Sequence, residues 1–279
     1  MNTHTNTYPL DDIAAHARVR VIGRPQELRR LRNLLTRISR DTVAVAHVTG
    51  PVGVGKTHLV LALAAQARSE NMRVVLTSAP LTSGDGTFGI VDQIAEQLHI
   101  DATATSESLG RNVRVALHAQ SGMPLLVVID AVDRLSTSDL EFVESILRQP
   151  PVRRMVVVVT SRSDTNERSP GAREFLRGLT TDTETLTLRH LYEADVVGIL
   201  ESWFPDEALS PEFTTAAFEL TEGNAYYLSC IRNHILQLTP STRWEILQGR
   251  ASLAEQEPLA AAESLLPLMA GDLDRRRQQ

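Results

Sequence analysis

Short apolar runs alternate with longer stretches of helical periodicity through the first two thirds of the chain. Residues 42–49 (TVAVAHVT), 73–78 (RVVLTS), 124–130 (PLLVVID) and 154–160 (RMVVVVT) read as strands, and 183–188 (TETLTL) as a weaker fifth. The third run is continuously apolar, as expected of a parallel strand covered on both faces. Leu28, Leu31, Leu34, Leu35 and Ile38 recur at helical spacing behind Pro25, which suits a first helical turn. Further helices are predicted over 56–68, 88–99, 107–120 and 137–148. Strands alternating with helices imply an α/β fold with a parallel sheet flanked by helices. Beyond Leu191 the strand signal stops, and helices are predicted over 192–203, 211–221 and 225–238, with 240–279 mixed. The expected organisation is a flexible N-terminus (1–19), an α/β core (20–190), a small all-helical domain (191–238) and a C-terminal helical extension and tail (239–279).

The totals narrow the function. A net charge of −6 opposes generic nucleic-acid binding, and aromatic residues at 4% leave little for stacking on single strands. Cys230 is the one cysteine, so no internal disulfide framework exists. No apolar run approaches the ~18 residues of a membrane span. The N-terminal residues lack the basic-then-apolar pattern of a signal peptide. The expected location is cytoplasmic, without a membrane partner. The arginines at 29, 30, 32 and 37 are read as a solvated helix face rather than a nucleic-acid patch.

The densest chemical signal is Gly50-Pro51-Val52-Gly53-Val54-Gly55-Lys56-Thr57, which satisfies GxxxxGK[ST] at every specified position. A strand precedes it and a helix follows, as the motif requires. The glycines let successive backbone N–H groups face phosphate oxygens, helped by the N-terminus of the next helix, where His58 is also a candidate nucleotide contact. Lys56 is the only lysine of the chain; all other basic charge is arginine. A compact ammonium suits the β/γ-phosphates where a planar guanidinium would not. Thr57 is the candidate Mg²⁺ ligand.

Asp130 ends the third strand and is the candidate for holding that Mg²⁺. The next position, where many such ATPases carry a second acid to polarise water, is Ala131. Asp133 either substitutes for that acid or caps the helix beginning near Thr137. Thr160, Ser161 and Arg162 end the fourth strand, which should lie beside the loop-bearing one. Their hydroxyls and guanidinium are candidates for sensing the γ-phosphate. Arg168 and Arg173, in the loop after that strand, are candidate arginine fingers. With no second lysine, the NKxD guanine motif is impossible. No LSGGQ, HExxH or GxSxG pattern is present, and the histidines show no metal spacing.

Taken together, Val21-Ile22-Gly23-Arg24, GPVGVGKT, LLVVID, VVVVTSR, LTLRHL and GNAYYL (223–228) resemble the STAND branch of AAA+ ATPases. The likeness is to the ATPase modules of large LuxR-type bacterial transcriptional regulators, and the set is similar to the NB-ARC domain. The resemblance implies a P-loop NTPase sheet of order 5-1-4-3-2 followed by a helical lid domain. It implies ATP/ADP and Mg²⁺ as cofactors. Ile22, Gly23 and Arg24 would lie along the adenine, Gly53, Gly55, Lys56 and Thr57 at the phosphates, and Asp130 at Mg²⁺. Arg162 would report the γ-phosphate, and Gly223 and Asn224 would bring the lid against the base. The implied function is a nucleotide-dependent signalling or transcription-regulatory switch with slow Mg-dependent hydrolysis. Alternatives are an AAA+ helper in DNA replication or transposition, and a non-hydrolysing nucleotide-binding module. Expected partners are adenine nucleotide, a second copy of the chain once ATP binds, and a protein supplying effector domains. Three departures stand out: Ala131 for the second acid, Ala225 for the usual proline of the lid motif, and about 40 residues after the lid. The last leaves open a truncated relative, a free-standing module or a different AAA+ subgroup.

Overall fold

A computed structural model describes residues 21–38, 43–79, 89–100, 106–119, 122–163, 169–179 and 183–256. The expected flexible N-terminus, Arg168 and most of the C-terminal tail lie outside these residues. The chain divides into two compact units. One comprises Gln26–Gly50 and Lys56–Thr187, the other Ile22–Pro25, Pro51–Gly55 and the chain from Leu188 on.

The first unit holds five parallel strands: β1 (Val43–Gly50), β2 (Arg73–Ser78), β3 (Leu125–Asp130), β4 (Met155–Arg162) and β5 (Glu184–Thr187). Their order is β2-β3-β4-β1-β5, the reverse listing of the expected 5-1-4-3-2. The helices of this unit are α1 (Pro25–Arg37), α2 (Lys56–Ser69), α3 (Ile90–Gln97), α4 (Ser106–Ala119), α5 (Thr137–Arg148) and α6 (Pro170–Gly178). The unbroken apolar runs become the central strands: β3 is buried from Leu125 to Ile129, and β4 from Met155 to Ser161. Each fully buried Val or Leu there contributes roughly 1.5–3 kcal/mol. The weak fifth run is an edge strand of four residues with only Leu186 buried. At the other edge, two glutamines of α3 take the place of a further strand. Gln97 exchanges hydrogen bonds with both the N–H and the C=O of Leu76, and Gln93 does so with Ser78. These side-chain amides satisfy backbone groups that an open edge would leave bare.

Helix α6 was not expected from the periodicity, because nine residues give too little pattern. Its start is nonetheless written in the chain: the Ser169 hydroxyl accepts from the N–H of Ala172, and Pro170 follows. Arg173 therefore sits exposed on a helix, not in a loop.

The second unit carries α7 (Glu193–Trp203), α8 (Pro211–Thr221), α9 (Ala225–Gln237) and α10 (Pro240–Leu247). Its core gathers Val196, Leu200, Phe204, Phe213, Ala217, Leu228, Ile231, Ile235, Ile246 and Leu247. Ser210-Pro211 and Thr239-Pro240 repeat the hydroxyl-then-proline start of α6. Among the described residues, no helix is long and apolar enough to cross a membrane.

Candidate functional site

The sheet topology delivers the chemistry to the C-terminal ends of β1, β3 and β4. Parallel register pairs Gly50 with Arg162 and Ile129 with Val159. The residue opening the phosphate motif is thus opposite the guanidinium-bearing one, and Asp130 emerges beside Thr160.

Within the first unit, the Lys56 ammonium donates to the Gly50 carbonyl at 2.8 Å. That carbonyl also accepts from the Ser163 N–H at 3.1 Å. Burial pushes the Lys56 ammonium down to about 8; Asp130 and Asp133 act against this, and Arg162 adds to it. A charge held this far from water is poised to gain from an incoming anion.

Asp130 is bound from two sides. Thr57 donates its hydroxyl to Oδ2 at 2.7 Å, and Thr160 donates to Oδ1. Thr160 in turn accepts the N–H of Ala131 at 2.9 Å. Thr57 and Asp130 thereby place a hydroxyl and a carboxylate oxygen side by side, the hard oxygen donors that Mg²⁺ takes alongside phosphate and water. Among the described residues, no group of three or more His, Cys, Asp or Glu is placed to hold a metal ion. The residues present fit an ion that keeps phosphate and water ligands rather than one caged by protein.

Ala131 adopts a left-handed conformation, φ 58° and ψ 47°. For a residue with a Cβ this costs roughly 1–2 kcal/mol. The bend leads into a 3₁₀ turn, Val132–Arg134, which folds Asp133 back toward β4. Asp133 is 3% exposed, and its two oxygens accept the N–H of Arg162 at 3.1 Å and Nε at 2.9 Å. The expected helix-capping role is corrected: Ser136 caps α5, accepting from the Asp139 N–H.

The cluster at the end of β4 also separates. Successive side chains of a strand point to opposite faces. Thr160 and Ser161 are both fully buried; the first is committed to Asp130, and the second lies 2.9 Å from His47 Nε2. Of the three, only Arg162 retains exposure, its side chain at 23%.

The second unit contains the phosphate-loop backbone, Pro51–Gly55. Gly53 and Gly55 have φ of 74° and 100°, the left-handed region that a side chain resists. A Cβ on Gly53 would stand 2.5 Å from Asn224 Oδ1. Asn224 donates through Nδ2 to the Val52 carbonyl at 3.1 Å, and its Oδ1 accepts from the N–H groups of Tyr226 and Tyr227. The Tyr226 N–H also donates to the Gly53 carbonyl at 2.9 Å. The start of α9 thus holds two loop carbonyls. Arg24, 6% exposed, donates to the carbonyls of Val54 and Arg189 at 2.9 and 2.6 Å. Both Asn224 and Arg24 brace the loop's backbone, a role that sequence separations of 172 and 30 residues hid from local reading. Gly23 lies at φ 77° against Asp195 and Leu191, and Ile22 lies near Gly198. Gly223 lies at φ 73°, where a Cβ would overlap the Leu191 carbonyl. His58 is exposed on the first turn of α2.

A sequence model of the AAA ATPase domain matches residues 20–159, which include the loop, Asp130, Asp133 and β4 as far as Val159. The chain belongs to the AAA ATPase domain family. Solved structures carry the same fold beyond that segment. This AAA ATPase is similar to the Orc1 protein of Aeropyrum pernix in complex with DNA (19% identity, TM-score 0.63, covering 90% of this chain and 68% of that one). It is also similar to Cdc6p of Pyrobaculum aerophilum (16% identity, TM-score 0.60, 80% of this chain and 64% of that one). A third likeness is to domain III of the Thermotoga maritima replication initiation protein DnaA (16%, TM-score 0.56, 88% and 93%). The AAA ATPase thus spans about two thirds of the Orc1 and Cdc6p chains. No curated protein sequence matches it.

Proposed function

We propose that this AAA ATPase is a STAND-type switch that binds ATP or ADP with Mg²⁺, hydrolyses ATP slowly, and signals through its nucleotide state. Lys56 and the N–H groups of the phosphate loop take the phosphates. Thr57 and Asp130 take the metal, and Arg162 takes the γ-phosphate. Residues 20–190 are the ATPase core, 191–238 the nucleotide-responsive lid and 239–279 an extension. The observation that carries the reading is the pairing of Asp133 with Arg162. Position 131 is an alanine, and the next acid is closed off from water by an arginine. The site has the groups to bind and distinguish nucleotides, but the position after Asp130 carries no acid to orient water, and that group contributes strongly to turnover. A regulatory output fits such chemistry, because occupancy rather than flux sets the state.

The test is amide hydrogen exchange with ADP and with a non-hydrolysable ATP analogue. The two should protect Gly53 to Gly55 and the first turn of α9 to different degrees. Identical protection would refute the switch. A helper role in DNA transactions is the second reading, supported by the likeness to Orc1 and DnaA folds. Against it, Arg30 is engaged with Glu184 at 2.6 Å, so part of the basic face of α1 is already neutralised. Salt-sensitive DNA binding would raise this reading, and none at low salt would remove it.

Nucleotide affinity should also depend on pH. The free-protein Lys56 is lowered to about 8, so its charge is present below that value and lost as pH rises through it. Bound phosphate favours the charged form, so binding takes up a proton, about half of one per site at pH 8. Affinity should fall about tenfold between pH 7 and pH 9. Calorimetry in two buffers of different ionisation enthalpy measures the uptake directly; a flat profile with no uptake would show that the ammonium is not at the phosphates.

A further inference from the structure

We propose that Asp133 is the positioning residue for Arg162, holding its guanidinium in the one orientation that distinguishes ATP from ADP. This rests on the nucleotide reading of the site and goes beyond it, since it assigns the acid after Ala131 a role other than activating water.

The geometry separates the two partners. The Asp133 side chain is 1% exposed and that of Arg162 is 23% exposed. The carboxylate therefore faces the interior, while part of the arginine faces outward. Both contacts fall on the near side of Arg162: its backbone N–H to Oδ1 and its Nε to Oδ2. Gripping one residue at its main chain and at Nε restrains the torsions between them and so the plane of the guanidinium. Register puts that residue opposite Gly50, where the phosphate loop begins. The clamp is made possible by the left-handed turn at Ala131, which brings the 3₁₀ turn under the end of β4. With its side chain 1% exposed and both oxygens turned to Arg162, the carboxylate faces away from solvent, and in the clamp its effect reaches the nucleotide through Arg162.

A double-mutant cycle read out as the ratio of ATP to ADP affinity tests this. Asp133→Asn keeps the shape and removes the charge. It should lower the preference for ATP about tenfold, with ADP affinity within about twofold of wild type. Arg162→Ala should lose the same preference, and the double variant should lose no more than either alone. Additive losses would overturn the clamp. So would an Asp133→Asn protein that keeps its preference and loses only hydrolysis, which is the behaviour of a water-orienting acid. Should Asp133→Asn fail to fold by circular dichroism, Arg162→Lys serves instead. It keeps the charge but has no Nε to be gripped, so it should lose the preference as fully as Arg162→Ala, and retention would refute the clamp. Lys56→Ala separates the two levels of the argument. If it binds nucleotide normally, the nucleotide reading itself fails. If it does not, and Asp133→Asn retains its preference, only the clamp fails.

Discussion

Lys56→Ala should reduce ATP affinity at least about 100-fold while leaving the fold intact. The size follows from losing charge-assisted hydrogen bonds to phosphate, worth roughly 1.5–3 kcal/mol each. The intact fold follows from what the ammonium touches in the free protein. One partner, the Gly50 carbonyl, also accepts from Ser163, so removing the side chain does not orphan that acceptor. Removing a partly desolvated charge also relieves a cost, so the melting temperature of the free protein should hold or rise. Lys56→Arg should not restore binding. A guanidinium is planar and larger, and cannot act as the same compact charge between two phosphates. Titration with a fluorescent ATP analogue, beside a thermal melt, measures both effects. A variant that melts normally and binds ATP normally would exclude the phosphate loop as the nucleotide site.

Asp130→Asn should weaken Mg-ATP binding about 10- to 100-fold and leave metal-free ADP binding within about twofold. The carboxylate now accepts two hydroxyl bonds, from Thr57 and Thr160. An asparagine offers one oxygen for the buried Thr160 hydroxyl and one NH₂, from which the partly exposed Thr57 hydroxyl can turn to accept. The network can therefore re-form without an orphan, while the charge that would hold Mg²⁺ is gone. Asp130 also supports the charge on Lys56, so the comparison belongs at pH 6.5, well below the wild-type value of about 8, where loss of that support changes the charge least. Competition titrations with and without magnesium give the two affinities. Equal losses with and without the metal would place Asp130 in the scaffold instead.

What the sequence disclosed follows from the range of the interactions involved. The central strands were legible because burial on both faces leaves unbroken apolar runs, as in LLVVI and MVVVV, and the flanking helices other than α6 were legible from their periodicity. The phosphate loop was legible because its requirements are local: glycines at φ 74° and 100°, then an ammonium and a hydroxyl. The roles of Thr160, Ser161 and Asp133 were not, because they depend on which neighbour each side chain meets across the sheet. Thr160 and Ser161 look alike in sequence, yet one face of β4 meets Asp130 and the other meets His47. Asp133 looked like a spare acid or a cap until the left-handed Ala131 turned it toward Arg162. The bonds from Arg24 and Asn224 to the loop carbonyls join segments far apart in the chain, with no periodicity to announce them. Helix α6 could have been found from Ser169-Pro170, the same start that opens α8 and α10 in kind.

The most direct test of the nucleotide site is calorimetric titration of the wild-type chain at pH 7 with ATP plus magnesium, and separately with ADP. Saturable binding of one nucleotide per chain in both titrations is the predicted result. No detectable binding of either at millimolar concentration, by a protein that is folded by its thermal melt, would contradict it.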